Sequence, residues 1–409
     1  MRQTPRDLAV PSGGGLAVLL TALVAFQAIS TDLYLPSLPA IVRDLATDIE
    51  TVQLTLSLFL LGFGAGQLLW GPLSDRFGRR PVLLAGLCLY VVAGLACALV
   101  DDIASLVALR LAQGMAASAG PVLGRAVVRD LWGPRESARV LSYLAGAMAV
   151  APMVGPILGG WLTALFGWRA NFLALAAFGA AVLAMVALRL GETNPAPDPL
   201  ALRPRRLLSG YLEVGRHPAF FWHALAAGFV YSGIFCFISG SPYVLIELSG
   251  LAPPAFGAAF ATAVAGYMLG GFAAGRLHAP LGPGRTLRLG ATLCTLAGVI
   301  GFLETVRGLP PPVGIVAPAF AYFLGAGMVL PGCMAGAIAP FASRAGLASG
   351  LLGAVQLAIG ATIGVLLAAL YDGTARPMMG FLATSALATL WTVARATRAV
   401  ATRQRRDRP

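Results

Sequence analysis

The residues best placed to do chemistry are two charged side chains inside long apolar runs. Asp32 stands near the end of a run that begins near Gly15, and Arg110 lies in a later run that starts after Asp102. A carboxylate inside a membrane helix costs roughly 2.5 to 3.5 kcal/mol, so it usually faces a cavity or a partner and often carries a proton. Alternatively, the helix has reached the headgroups and Asp32 is hydrated. The apolar pattern continues to Ile41, which favours the buried position.

Helix geometry places these two side chains at a similar depth. Asp102 precedes span 4 and marks the membrane face at which that span begins. Arg110 lies eight residues past Asp102, so at a rise of about 1.5 Å per residue it is about 12 Å from this face. Asp32 lies nine residues before Ile41, which puts it about 14 Å from the same face. An arginine inside a span needs a partner, and Asp32 is the candidate. The sequence leaves open whether the two touch or are linked through Gln113 and water.

The composition indicates a membrane protein built of helices. Of 409 residues, 58% are hydrophobic and 11% charged, with a mean hydropathy of +0.80, whereas soluble domains are about 25% charged. A transmembrane barrel would show short alternating segments instead of long apolar runs. The net charge of +12 comes from arginines spread over short loops, which fits membrane orientation better than nucleic-acid binding. No catalytic cluster, metal-ligand spacing or phosphate-binding loop is present, so no enzyme activity, metal or cofactor is predicted.

The apolar runs predict an all-α membrane protein with twelve transmembrane helices in two pseudo-symmetric six-helix halves. The predicted spans are 15–41, 51–70, 82–100, 103–128, 138–162, 170–190, 219–242, 255–275, 286–304, 313–334, 345–371 and 377–397. The predicted domains are an N-terminal half (1–190), a cytoplasmic linker (191–218), a C-terminal half (219–397) and a basic cytoplasmic tail (398–409). Within the linker, a short surface helix is predicted near 207–214.

The arginines are distributed unevenly between the two ends of this bundle. Beside Arg110, four arginines fall at one end, here called the Arg-poor end, namely Arg43, Arg169, Arg307 and Arg376; the others fall at the Arg-rich end. Since cytoplasmic loops carry an excess of arginine, both termini are predicted to be cytoplasmic. A faint repeat relates the halves: Gly271 to Arg276 follows Gly71 to Arg76 at an interval of two hundred positions. Two related halves are typical of transporters.

The segment between spans 2 and 3 contains the most distinctive motif. Its chemistry-bearing residues are Gly71, Asp75, Arg76, Gly78, Arg79 and Arg80. Its glycines and proline predict a tight turn. Asp75 can meet a helix N-terminus, where partial positive charge favours an anion, and Arg79 and Arg80 can pair with carboxylates on neighbouring helix ends. An ordinary basic loop would not require the glycines or Asp75.

Span 5 carries a pattern of small residues. These are Gly146, Gly155, Pro156, Gly159 and Gly160. Small residues let helices approach closely, and a proline weakens the local hydrogen-bond ladder, so a bendable and tightly packed helix is predicted. Ordinary glycine-rich membrane packing is the alternative.

Several polar and aromatic residues are candidates to line an amphipathic substrate cavity. They are Asp32, Tyr34, Gln113, Tyr143, Tyr231 and Phe235. Tyr231 and Phe235 share one helix face, four residues apart. For each aromatic, a core or lipid-facing position is an equally good interpretation.

These motifs together resemble the major facilitator superfamily. The segment from Gly71 to Arg80 is similar to its signature loop, and Arg110-x-x-Gln113-Gly114 is similar to the span 4 motif of its proton-coupled members. The span 5 glycines resemble the motif of its antiporters. The run Asp-Leu-Tyr-Leu-Pro from Asp32 resembles the first span of the Bcr/CflA branch, the bicyclomycin and chloramphenicol resistance group of drug:proton antiporters.

The resemblance implies roles for individual residues. Asp32 would be the acid that carries the proton and senses substrate, and Arg110 would be its electrostatic partner. Asp75 would hold the N-terminus of span 11, around Gly346, in the outward-open state. One departure is that some related antiporters carry a second acid earlier in span 1, where this chain has Val24, Ala25 and Gln27.

The loop residues have an implied gating role as well. Arg79 would bridge to Asp130 at the end of span 4, which would tie the loop to the neighbouring helix.

The resemblance implies drug:H+ antiport by alternating access, with small amphipathic drugs or antibiotics such as bicyclomycin or chloramphenicol as substrates. The alternative is export or import of a metabolite such as an amino acid, sugar or siderophore; a channel or an embedded enzyme is disfavoured. The coupling ion would be H+, without a cofactor. The expected partners are a small-molecule substrate and the lipid bilayer, with no nucleic acid and no obligate protein partner, in a monomer of the bacterial inner (cytoplasmic) membrane.

Overall fold

The computed structural model describes residues 14–148, 151–308 and 313–406, and these residues form helices and short connections. In the first half the helices are α1 (Gly14–Asp32), α2 (Leu38–Asp44), α3 (Ile49–Phe77), α4 (Arg79–Leu99), α5 (Ile103–Ala117), α6 (Ala119–Met148), α7 (Ala151–Phe166) and α8 (Arg169–Arg189). A separate helix, α9 (Pro204–Arg216), follows. In the second half they are α10 (Pro218–Pro242), α11 (Pro253–Leu281), α12 (Pro283–Val306), α13 (Val313–Ile338), α14 (Ala345–Ala369) and α15 (Arg376–Arg406).

The helix lengths confirm the predicted all-α membrane fold. Within the described ranges, 11 helical stretches are long and apolar enough to cross a membrane. The fifth span is represented by α7, a shorter apolar helix of 16 residues that directly follows the undescribed residues 149–150. With α7 the two halves hold six spans each, and α9 lies outside the spans.

Residues 129–137, which lie between the predicted spans 4 and 5 and were expected to form a loop, are helical. Backbone assignment in α6 is continuous through this segment. Nevertheless, the Ser137 hydroxyl donates to the carbonyl of Val128 at 3.2 Å. Nine residues of straight helix would separate them by about 13 Å, so the chain reverses here within helical turns.

The predicted tight turn between spans 2 and 3 is also shorter than expected, because α3 runs on to Phe77. Pro72 lies inside this helix and cannot donate to the carbonyl of Leu68 four residues earlier. The hydroxyl of Tyr211, in α9, donates to that carbonyl at 3.1 Å. A distant residue therefore satisfies the group that Pro72 leaves free. The reversal falls on Gly78, whose φ of +98° suits glycine.

The two halves pack on each other through two helix pairs, α3 with α14 and α7 with α11. A methyl group on Gly64 of α3 would lie 3.4 Å from Leu357 Cβ of α14. On α11, one on Gly257 would lie 2.7 Å from the carbonyl oxygen of Pro156 in α7. These pairs join spans 2 and 11 and spans 5 and 8. Span 2 of the first half corresponds to span 8 of the second, and span 5 corresponds to span 11. A pseudo-twofold axis along the membrane normal therefore relates one helix pair to the other.

Candidate functional site

Span 1 is broken at its acid. The helix α1 ends at Asp32, a short 3-10 helix covers Leu35–Ser37, and α2 begins at Leu38. Pro36 has no N–H to give the carbonyl of Asp32, which is why the helix cannot continue. Interrupted backbone at membrane depth is tolerated where it is buried in protein or lines a cavity. Asp32 therefore stands at the point in span 1 where the backbone departs from a helix.

The Asp32 side chain is buried, with 4% of the residue exposed. Its Oδ1 lies 2.9 Å from the Thr31 hydroxyl, whose single proton is shared with the carbonyl oxygen of Gln27 at 3.0 Å. Among the residues with described side chains, no arginine or histidine lies within ion-pair distance of Asp32. A carboxyl that is buried without a counter-charge is suited to bind and release a proton.

Arg110 is fully buried but does not contact Asp32. Its guanidinium donates to Gln113 Oε1 at 2.7 Å and to the carbonyl of Ser30 at 3.3 Å. The direct contact that the sequence left open is therefore absent. Depth arithmetic places two residues at one level but says nothing about the direction in which each side chain leaves its helix.

Three aromatic rings surround the Arg110 guanidinium instead of a carboxylate. Its Cζ lies 4.2 Å from the ring centroid of Phe59, 4.7 Å from Tyr34 and 5.7 Å from Phe172. The negative ring faces stabilise a desolvated cation. Arg110 also bonds to the last turn of α1 through Ser30, where the helix end has partial negative charge. Arg110 therefore binds the end of α1, and both belong to the first half.

A polar contact crosses between the halves close to Asp32. Gln27 Nε2 donates to the hydroxyl of Tyr231, on α10, at 3.1 Å. That hydroxyl is within electrostatic range of Asp32. Sequence analysis considered Gln27 only as the replacement for a second acid. A polar residue five positions before Asp32 in an apolar run was the available signal.

The candidate cavity residues separate into two groups. Tyr231 and Phe235 lie where α10 meets α14, with ring atoms 3.1 Å from the methyl positions of Gly360 and Gly364 respectively. Tyr34 is buried within the first half, where its hydroxyl bonds to Thr55.

The remaining cavity candidates are Gln113, which is buried beside Arg110, and Tyr143 of span 5. The side chain of Tyr143, like the surroundings of Gly146, lies outside the described residues.

The glycines of α7 bring this helix against the broken segment of span 1. A methyl group on Gly155 would lie 3.1 Å from Asp32 Cβ, and one on Gly159 would lie 2.7 Å from the carbonyl carbon of Leu33. The opposite side of α7 meets the second half, because a methyl on Gly160 would lie 2.8 Å from the carbonyl carbon of Pro253. The helix α7 therefore fills the space between the Asp32 segment and α11, and packed contacts of this kind transmit displacement.

The segment between α3 and α4 forms a charged cluster at the Arg-rich end. Arg79 Nε lies 2.9 Å from Asp130 Oδ2, which is the predicted contact, and its Nη1 lies 2.5 Å from Asp75 Oδ1. Arg79 also donates to the Ser74 hydroxyl at 2.6 Å. The Asp75 carboxylate thus faces Arg79 in this structure, and its contact with the N-terminus of α14 in the outward-open state stays a prediction.

Glu192, which sequence analysis missed, occupies the helix N-terminus in this cluster. Its carboxylate accepts the backbone N–H groups of Arg79 at 2.8 Å and Arg80 at 3.1 Å, the first two residues of α4. A methyl on Gly78 would lie 2.6 Å from Glu192 Oε2. A carboxylate here satisfies free N–H groups and complements the helix dipole. Glu192 therefore caps the N-terminus of α4.

The other residues of the loop motif make peripheral contacts. Arg80 donates to the carbonyl of Ala187 at 2.9 Å, and Arg76 donates to the carbonyl of Pro199 at 3.4 Å. A methyl on Gly71 would meet open space.

At the Arg-poor end the halves are joined by polar contacts. Arg43 and Glu247 form an ion pair at 2.6 Å, and Gln53 Nε2 donates to the carbonyl of Ser239 at 3.4 Å. Both contacts link the first half to the end of span 7. This end of the bundle is closed between the halves.

Comparison with known proteins places the chain in a family. The model of the Major Facilitator Superfamily matches residues 20–365. An "Uncharacterized MFS-type transporter YdgK" of Bacillus subtilis is 36% identical over 89% of this chain and 90% of that protein. A "Bicyclomycin resistance protein homolog" of Haemophilus influenzae is 31% identical over 85% of this chain and 87% of that protein. The fold matches the partially occluded inward-open xylose transporter XylE of E. coli at a TM-score of 0.69 and 14% identity, covering 92% of this chain and 96% of that chain. The chain belongs to the Major Facilitator Superfamily and is a transporter.

Proposed function

We propose that this protein exports small amphipathic drugs or antibiotics, such as bicyclomycin or chloramphenicol, in exchange for protons by alternating access. The observation that carries the proposal is Asp32, a buried carboxyl at the break in span 1 with no basic side chain within ion-pair distance in the described part of the chain. A relative named for bicyclomycin resistance supports the substrate class.

Coupling follows from a single shared site. A proton on Asp32 leaves the region neutral, and a substrate that hydrogen-bonds to the carboxylate favours release of that proton. Proton and substrate then exclude each other, because both use the same carboxyl. The site is disfavoured when both are absent, because a buried carboxylate without a partner is costly. Gln27 and Tyr231 supply neutral hydrogen-bonding groups beside it, one from each half. A substrate bound between the halves would replace their mutual hydrogen bond.

Alternating access requires the contacts at one end to break while those at the other end form. Release at the Arg-poor end would separate Arg43 from Glu247 and Gln53 from Ser239. The arginine distribution favours an orientation in the inner membrane with the Arg-rich end on the cytoplasmic side. Release at the Arg-poor end is then release out of the cell. Because α7 touches both the Asp32 segment and α11, movement between the halves would reach the acid directly. We propose that one chain suffices for this cycle.

Transport of a polar metabolite is the second candidate. The neutral Gln27–Tyr231 pair favours it, since an amide and a phenol suit the hydroxyl groups of a sugar-like solute.

The proposal is tested with purified protein in liposomes that contain a pH-sensitive dye. A proton gradient is imposed, and chloramphenicol, bicyclomycin and a lipophilic cation are added in turn. We expect drug-evoked proton flux in the wild type, none in Asp32→Asn, and normal flux in Glu50→Gln, which changes an exposed acid at the start of α3. No drug-evoked flux in folded wild-type protein, together with flux evoked by a metabolite, would select the second candidate.

A further inference from the structure

The helix α9 is fixed to the bundle by one of its faces. A methyl on Gly210 would lie 2.9 Å from Leu347 Cδ1 of α14, and Val214, one turn later, is fully buried. Tyr211 adds the hydrogen bond to Leu68 of α3. The helix therefore has a defined position at the Arg-rich end, against the two helices that join the halves.

A second face of α9 carries an open apolar stripe that ends in a cation. Leu208 is 61% exposed and Leu212 is 46% exposed. Arg216 follows at the same interval of four residues, so the three side chains lie along one side of the helix. Arginine next to a row of leucines is the arrangement found where a helix lies at a membrane surface.

This stripe forms one wall of a groove. A cavity of about 300 Å³ lies between α9, the first turns of α10 and α14, and it is lined by Leu208, Leu212, Phe220, Phe221, Leu225 and Arg216 among others. Phe221 is 46% exposed on the α10 side, so the groove opens to the outside of the bundle. Phe221 lies in the first turn of a membrane-spanning helix, so this opening is at the level of the membrane surface.

Within the described part of the chain, the positive charge at the groove has no acidic partner. Glu213 is the acidic residue of α9, and it pairs with Arg344 at 2.5 Å. Arg206 pairs with Asp198 at 2.7 Å. Among the residues with described side chains, no carboxylate lies within ion-pair distance of Arg216. The groove thus offers an apolar channel with one available guanidinium at its edge.

We propose that this groove binds one anionic phospholipid, with an acyl chain along Leu208, Leu212 and Phe221 and the phosphate on Arg216. A guanidinium matches phosphate geometry and adds attraction for anionic over zwitterionic lipid. The bound lipid would rest against α14, which packs on α3 of the other half. The proposal goes beyond drug export and does not depend on its direction, substrate or coupling.

The test uses the full-length protein in nanodiscs of phosphatidylcholine that contain a trace of a photoactivatable lipid. The probe is phosphatidylglycerol or phosphatidylcholine with a diazirine in its acyl chain, and labelled peptides are mapped by mass spectrometry. We expect peptides covering residues 207–225 to be labelled about fivefold more by the phosphatidylglycerol probe, the preference that one arginine near a charged surface confers. Equal labelling by both probes in the wild type would overturn the proposal.

Four variants separate the groove from general surface attraction. Arg216→Gln should lose the preference for phosphatidylglycerol and Arg216→Lys should keep most of it, since the charge is retained. Arg285→Gln removes an exposed arginine of α12, outside the groove lining, and should leave the ratio unchanged. Leu212→Trp fills the groove and should reduce labelling by both probes. A wild-type ratio in Arg216→Gln would contradict the assignment of the phosphate to Arg216.

Discussion

Adding one methyl group at Gly159 should disturb the packing of α7 against the Asp32 segment, the proposed proton site. The new Cβ of Gly159→Ala would lie 2.7 Å from the carbonyl carbon of Leu33 and 3.2 Å from its Cα, with the carbonyl oxygen closer still. These are backbone atoms, so no flexible side chain can give way. Ordinary contact needs a separation of about 3.5 to 4 Å, so α7 or the segment after Asp32 must move by about 1 Å. Overpacking of this kind costs about 1 to 3 kcal/mol.

If that cost falls on one of the two states of the cycle, the population of that state changes by about 5- to 150-fold. We expect drug-evoked proton flux in liposomes to fall by at least fivefold, the lower limit of that range. Gly275→Ala is the matched control, because its added methyl meets open space in α11; it should transport like the wild type. Wild-type flux and an unchanged thermal midpoint in Gly159→Ala would refute the argument that α7 packs on the Asp32 segment.

Three further predictions concern the ends of the bundle. Arg43→Glu places two carboxylates opposite each other at the closed end. A Ser239→Cys reporter should then react faster with a membrane-impermeant thiol reagent, and adding Glu247→Arg should reverse the effect. An unchanged reaction rate would exclude a closing role for the ion pair. Tyr211→Phe leaves the carbonyl freed by Pro72 without its donor, and the thermal unfolding assay should show a loss of about 1 to 3 kcal/mol; no change would mean that water replaces the hydroxyl. Asp48 accepts the backbone N–H of Thr51 at 2.6 Å, and this hydrogen bond holds the pKa of the Asp48 carboxyl below its usual value of 3.8. Its stabilisation is therefore present at neutral pH and lost as the pH falls through the lowered pKa, so the difference in thermal midpoint between wild type and Asp48→Ala should begin to shrink as the pH falls below 3.8. A difference that does not shrink at any acid pH would contradict the capping role.

Local sequence signals predicted the spans and the acid but not the long-range partners. Apolar runs are sufficient to locate helices in a membrane, and Pro36 marks the break beside Asp32. The end of α3 was misplaced because Pro72 is tolerated only through Tyr211, which is remote in sequence. Glu192 was missed for the same reason: nothing next to it in the chain indicates that it meets the start of α4.

The partnership of Asp32 with Arg110 shows a different limit. Equal depth in the membrane was correctly treated as leaving contact open, since two helices at one level can direct their side chains differently. The aromatic residues Tyr34, Phe59 and Phe172, which occupy the space around the guanidinium, come from three separate spans. Only the packing of those spans determines that Arg110 faces rings instead of the acid.

The central claim, that Asp32 is shared between proton and substrate, is tested most directly by proton release on substrate binding. Purified protein in weakly buffered detergent solution, with a pH indicator, is titrated with chloramphenicol or bicyclomycin while binding is measured in parallel. The account predicts proton release in proportion to bound drug in the wild type and none in Asp32→Asn. Release that persists in Asp32→Asn, with the drug still bound, would show that another group carries the proton.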